Sequence, residues 1–203
     1  KTLALVKKYF GPIPKGKEPP TVTSCEPMQK GERRAVIVMP GAVPRVMIGY
    51  HAPAFHDPDS AALDVIEAIL SSGKSSRLFR SLVDGRLATS AWASNPASKD
   101  PDLFLLGGTP CDGIEVERVE AGLLAEIDRL RSEPVHDEEL SKAVKQIEAQ
   151  FTKANDSVSN QARILGEFEM RSSWRDVYTY LDRIRKVSKE QIMKAADTYL
   201  VQS

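Results

Sequence analysis

The chain has 203 residues, of which 41% are hydrophobic, and its 28 lysines and arginines are balanced by 28 acidic residues. That length holds one good-sized core or two small ones. The charge balance excludes a general affinity for nucleic acid or anionic membrane, since both depend on a cationic surface, and no apolar run reaches the length of a membrane span.

The opening Lys1-Thr2-Leu3 lies in mid-helix, with no Met and no visible signal peptide. It predicts a piece of a longer protein, with any export signal upstream. Leu3, Val6 and Phe10 fall on one face of an amphipathic helix, which Gly11-Pro12 stops. From there to Gly31 the chain carries Pro12, Pro14, Pro19, Pro20 and Pro27, the composition of a proline-stiffened linker. Val36-Ile37-Val38 predicts a strand over 33–39, ended by Pro40-Gly41. A second strand is expected over 45–51, where Val46, Ile48 and Tyr50 alternate with Met47 and Gly49. Because Met47 is apolar too, this strand is expected to be covered on both faces.

Asp57-Pro58-Asp59 starts a helix whose apolar face is Ala62, Val65, Ile66 and Ile69, and Gly73 ends it by accepting the left-handed conformation. Ser75 and Ser76 are expected to cap a second helix through Leu78, Phe79 and Leu82, stopped at Asp84-Gly85. Short strands are predicted over 87–94 and 102–107, with Pro96 and Pro101 bracketing the turn between them. The remainder is helical. Val116, Val119, Leu123, Ile127 and Leu130 form one stripe, closed by Glu133-Pro134. A second stripe runs from Leu140 through Phe151 towards Phe168, with a kink or break expected at Asn155-Asp156-Ser157, whose side chains compete for backbone hydrogen bonds. Helices over 174–186 and 189–200 follow, and Ser188 with Gln191 forms a capping box between them. Strands followed by helices predict an α+β layer, one sheet with helices on one face.

Few residues in this pattern offer chemistry. His51 and His56 are separated by Pro53 and cannot share a helical face, and His136 has no neighbouring ligand. A zinc site needs three or four convergent ligands, so structural or surface roles are expected for all three. Gly73-Lys74-Ser75 echoes a phosphate-binding loop, but Ala68 stands where that motif needs a glycine and a helix precedes it in place of a strand. There is no Gly-x-Ser-x-Gly elbow and no aromatic-plus-basic pattern for single-stranded nucleic acid. Cys25 and Cys111 lie in no CxxC spacing; two unpaired thiols are expected, although sequence alone leaves their pairing open.

The segment GKSSRLFRSLVDGRLATSA (73–91), its lead-in RVMIGYHAPAFHDPDSAALDVIEAIL (45–70) and the opening LALVKKYFGPIP (3–14) together resemble the second, non-catalytic C-terminal domain of bacterial-type M16 (pitrilysin/insulinase-type) zinc metallopeptidases. The resemblance implies an α+β fold with a mixed, largely antiparallel sheet and long helices packed on one face. It makes residues 1–30 the end of the preceding domain's helix plus a linker, and 31–203 the second domain. Zinc would be a cofactor of the parent enzyme, held in the first domain by His-x-x-Glu-His. In that motif the two His share one helical face and the Glu handles the water proton. This chain lacks the motif, holds no zinc by this reading and is expected to be inactive alone. Its implied role is to wall the chamber in which peptides are cut, contributing to substrate binding and assembly. Its implied partners are the first M16 domain of the same chain, a second M16 subunit and peptide substrates, with no nucleic acid and no membrane span. Export to a bacterial periplasm is implied by the resemblance only.

One departure stands out. Catalytic assemblies of the family carry a segment like L-R-x-K-x-x-L-x-Y, whose Arg and Tyr reach the substrate. Here Leu82-Val83-Asp84-Gly85-Arg86-Leu87-Ala88-Thr89 is one residue shorter. In the register that keeps Leu82 and Leu87-Ala88, the substrate-contacting positions are Val83 and Thr89, and neither can polarise a peptide carbonyl as a guanidinium and a phenol do. Either another subunit supplies that pair, or the parent is a peptidase-inactive homologue serving as scaffold or partner subunit. An HxxEH motif upstream of Lys1 separates the two.

Overall fold

Among the described residues, the sheet of the computed structural model has three strands where four are expected. The structure describes residues 1–18, 20, 29–41 and 43–201. Strands β1 (Val46–Ala52), β2 (Ala88–Ser94) and β3 (Asp102–Pro110) run in the order β1-β3-β2, and both pairings are antiparallel. Tyr50 stands opposite Phe104, and Trp92 opposite Gly107. Gly107 is required there: a Cβ on it would lie 2.4 Å from the Trp92 ring.

The stretch 33–39 is a correction, for it belongs to no strand. Val36, Ile37 and Val38 are 82%, 81% and 88% exposed. β-propensity expresses itself as a strand only where a neighbour supplies a ladder and a packed face, and this domain supplies neither there. The second correction is β1, which is covered on one face only. Tyr50 and Ala52 are buried, while Met47 on the other face is 67% exposed. Antiparallel sheets tolerate a wet face, and an apolar residue at one outward position does not require a cover.

The helices are α1 (Thr2–Phe10), α2 (Ser60–Ser71), α3 (Val116–Ser132), α4 (Asp137–Ala154), α5 (Val158–Arg171), α6 (Tyr180–Arg185) and α7 (Lys189–Tyr199). The chain divides into two units, residues 1–33 and the larger body from Arg34 onward. In the first, α1 buries no side chain. In the second, α3 packs on β1 and β3, α2 on β2, and α7 on β1, with α4 behind α2. The core is continuous through these layers: Leu63, Val65 and Ile66 of α2 meet Phe104 and Leu106 of β3, Leu123 and Ile127 of α3, and Ile192 of α7. Among the described residues no helix is long and apolar enough to cross a membrane.

The link after α2 is built differently from its expectation. Gly73 does take a positive φ of 80°, but Phe79–Asp84 is π-helical and the left-handed residue that ends it is Arg86 (φ 56°), not Gly85. Neither serine caps it. Ser76 Oγ is buried without a partner, and Ser75 Oγ is taken by Lys142. The link is held instead by one face of α4, three side chains spaced three and four apart. Gln146 donates to the Ser72 carbonyl at 3.1 Å, Lys142 to the Ser75 carbonyl at 3.1 Å, and Glu139 accepts two 2.8 Å bonds from the Arg77 guanidinium. The segment GKSSR is thus a clamp between α2 and α4.

The stripe after Leu140 breaks where expected. Asn155 follows the last residue of α4, and Ser157 caps α5 by accepting from the Asn160 amide at 3.1 Å. The single helix expected over 174–186 is a 3-10 turn, Trp174–Tyr178, followed by the short α6. The capping box at Ser188 and Gln191 forms in both directions.

Candidate functional site

The sequence-derived positions do not form a site among themselves. Val83 sits half-buried in the π-helical turn, and Thr89 is exposed on β2, where its hydroxyl donates to the Thr109 carbonyl at 3.2 Å. His51 lies on the outward face of β1, His56 is exposed ahead of α2, and His136 is the N-cap residue of α4. Among the described residues no three His, Cys, Asp or Glu side chains are grouped to hold a metal ion. The described residues therefore do not fit zinc, which demands a closed set of N, S and O ligands. Metal analysis of the purified chain after dialysis is expected to find far less than one zinc per chain; one tightly held zinc would refute this. Cys111 is free, as expected for it, and the expectation for Cys25 lies outside the described residues.

The feature that sequence reasoning missed is on α2. Nine of its twelve residues are buried, yet Asp64 and Glu67 stand in its middle, three apart on one face. They line a cleft of about 360 Å3 bounded by α2, the residues after β2, α4 and α5. Asp64 accepts from the Asn95 side chain at 2.8 Å and from the Tyr180 hydroxyl at 3.0 Å. Glu67 accepts from the Asn95 amide at 2.9 Å. The floor is aromatic: the Phe55 and Phe168 rings meet edge-on at 5.4 Å, Tyr180 joins Phe168 at 5.7 Å, and Arg183 lies 4.8 Å over Phe55.

Burial dominates the electrostatics. It pushes Asp64 from 3.8 up to about 6, against the hydrogen bonds from Asn95 and Tyr180 and the charges of Arg171 and Arg183. It pushes Glu67 from 4.5 up to about 7, with the charge of Asp64 adding to the rise and the Asn95 amide opposing it. Burial and the same carboxylate raise the Tyr180 phenol further, so it stays protonated and donates. The arrangement can hold and release protons near neutrality. The signal was weak: Asp64 and Glu67 lie opposite Ala62, Val65, Ile66 and Ile69, on the side that an amphipathic helix ordinarily turns to water.

The family model described as the peptidase M16 inactive domain matches residues 1–147. The zinc protease PqqE of Helicobacter pylori (strain ATCC 700392 / 26695) is 29% identical over 205 residues, covering 98% of this chain and 46% of its own length. The crystal structure of a protease from Helicobacter pylori superposes with a TM-score of 0.92 at 28% identity, over 98% of this chain and 49% of that one. A solved inactive peptidase domain from Bordetella parapertussis has a TM-score of 0.72 at 26% identity, over 82% of this chain and 91% of that one. The chain thus spans about half the length of the Helicobacter relatives and most of the Bordetella domain.

Proposed function

The chain belongs to the M16 peptidase family as its inactive domain, and from that premise we propose that it is the second domain of a zinc metalloendopeptidase, walling the chamber in which peptides are cut and contributing to substrate binding and assembly. The one-sided sheet is the observation that carries this reading. Among the described residues, helices cover one face, while the other presents Met47, Leu103 and the Trp92 ring over Gly107. A continuous, partly apolar and sparsely charged face suits an extended peptide, which offers alternate side chains and backbone groups along its length.

In this reading residues 1–30 are the last helix and linker of the first domain, which would carry HxxEH and zinc, and 31–203 are the second. Two observations support the division: α1 buries nothing, and the Bordetella domain matches 82% of the chain. Val83 and Thr89 occupy the places of the family's Arg and Tyr, so a second M16 subunit supplies those groups.

The test is peptide hydrolysis by the full-length parent, alone and mixed with a companion M16 subunit. Loss of one set of transition-state contacts costs on the order of a hundredfold or more. Near-background activity alone and a gain of at least about that size on mixing are expected. Full activity alone would refute the roles given to Val83 and Thr89, and inactivity in every combination would establish the scaffold reading instead.

A further inference from the structure

Ala35 to Met39 has the composition of a strand interior, β-branched or apolar at four successive positions and free of Gly, Pro and charge. Successive residues of an extended ribbon point to opposite sides. Val36, Ile37, Val38 and Met39 are all 64% to 88% exposed, so neither side of the ribbon rests on the domain. The segment is nonetheless tied at its base, where the Arg34 guanidinium makes a forked ion pair with Glu120 of α3. At its other end Gly41 turns at φ 73°, and the chain then passes Pro44 into β1. The default for two such runs joined by a short turn is a hairpin, yet among the described residues β1 pairs with β3 and the run 35–39 belongs to no strand. A long apolar edge left bare is a hazard that proteins cover.

We infer that Ala35–Met39 is a strand donated to a sheet edge of the first M16 domain of the parent chain. The inference rests on the two-domain reading above and names the surface through which the domains join. Length supplies the occupant. The Helicobacter protease matches 98% of this chain at a TM-score of 0.92, and the match covers 49% of it, so this fold occurs in a protein with a second half of similar size. Strand addition satisfies the bare backbone groups of the ribbon and covers apolar side chains on both of its sides.

Amide hydrogen exchange at residues 36–39 tests it, measured in the full-length parent at two protein concentrations and in the separate 203-residue chain. The expected result is exchange slowed by about a hundredfold or more in the parent, independent of concentration, and fast exchange in the separate chain. Fast exchange in the parent would overturn the inference. Equally slow exchange in the separate chain would mean a hairpin with β1, and protection rising with concentration would mean pairing between copies; either also overturns it. Zinc content and hydrolysis of the same parent sample report on the peptidase reading separately. Slow exchange in a zinc-free parent would discard the peptidase and keep the donated strand.

Discussion

Arg77→Ala is expected to cost the domain roughly 3 kcal/mol, the lower end of the range for breaking a buried ion pair by removing one partner. The Arg77 side chain is 8% exposed and Glu139 is 26% exposed, so the loss strands a carboxylate that water reaches only in part. Each group is tuned to the other. The hydrogen bonds that Arg77 donates to Glu139 raise the Arg77 pKa. For Glu139, burial acts to raise its pKa, but the hydrogen bonds and charge of Arg77 prevail and hold it below the usual carboxylate range. A urea midpoint lower by about 1–2 M should be measured. Arg77→Lys should recover part of this, since it keeps the charge and loses the two-pronged fork. A midpoint unchanged in Arg77→Ala would show that the clamp between α2 and α4 contributes nothing net.

The second large effect is on pH dependence. Asp64 and Glu67 have folded-state values near 6 and 7, above their ordinary 3.8 and 4.5. The folded state therefore binds protons more tightly than the unfolded one in that interval. Their stabilising contribution is complete below about pH 4 and is lost as pH rises through about 6 and 7, at up to about 1.4 kcal/mol per pH unit for each group. Between about pH 5 and pH 8 the domain should lose roughly 3 kcal/mol, which for this size is a Tm lower by about 10 °C. Glu67→Gln should flatten most of that decline and raise Tm at the alkaline end, because its amide oxygen can still accept from Asn95. A Tm that holds steady or rises over the interval would refute the assignment. Glu139 acts in the opposite sense, since its lowered value gives stability that disappears only as pH falls below the carboxylate range.

Periodicity exposed those parts of the fold that the chain builds from local rules. The stripe from Val116 to Leu130, the stop at Gly73, the break at Asn155–Ser157 and the Ser188–Gln191 box each depend on residues within a turn or two of one another. What periodicity missed depends on distant partners. Val36–Met39 has every local property of a strand, but a ladder is made by a neighbour. The π-helical turn and the unused Ser75 and Ser76 follow from the clamp by Glu139, Lys142 and Gln146, more than sixty residues away. Asp64 and Glu67 were legible only as the polar side of α2, opposite Ala62, Val65, Ile66 and Ile69. That they face a cleft was not, because Asn95 and Tyr180 reach them from other parts of the chain.

The break at Asn155 folds the end of α4 and α5 around a second, smaller hydrophobic cluster, with Phe151 and Ala154 on one side of the break and Ile164 and Phe168 on the other. Its buried members are Phe55, Ala97, Ile164 and Phe168, apart from the large cluster beneath the sheet. A satellite of that size opens at a lower free energy than the whole domain. Such an opening would wet Asp64 and Glu67 while β1, β3 and α3 stay intact. Alkaline loss of stability would then fall first on the seam between α2 and α5. Base would fray that seam before it melted the domain, leaving a partly opened native state whose population is set by two protons.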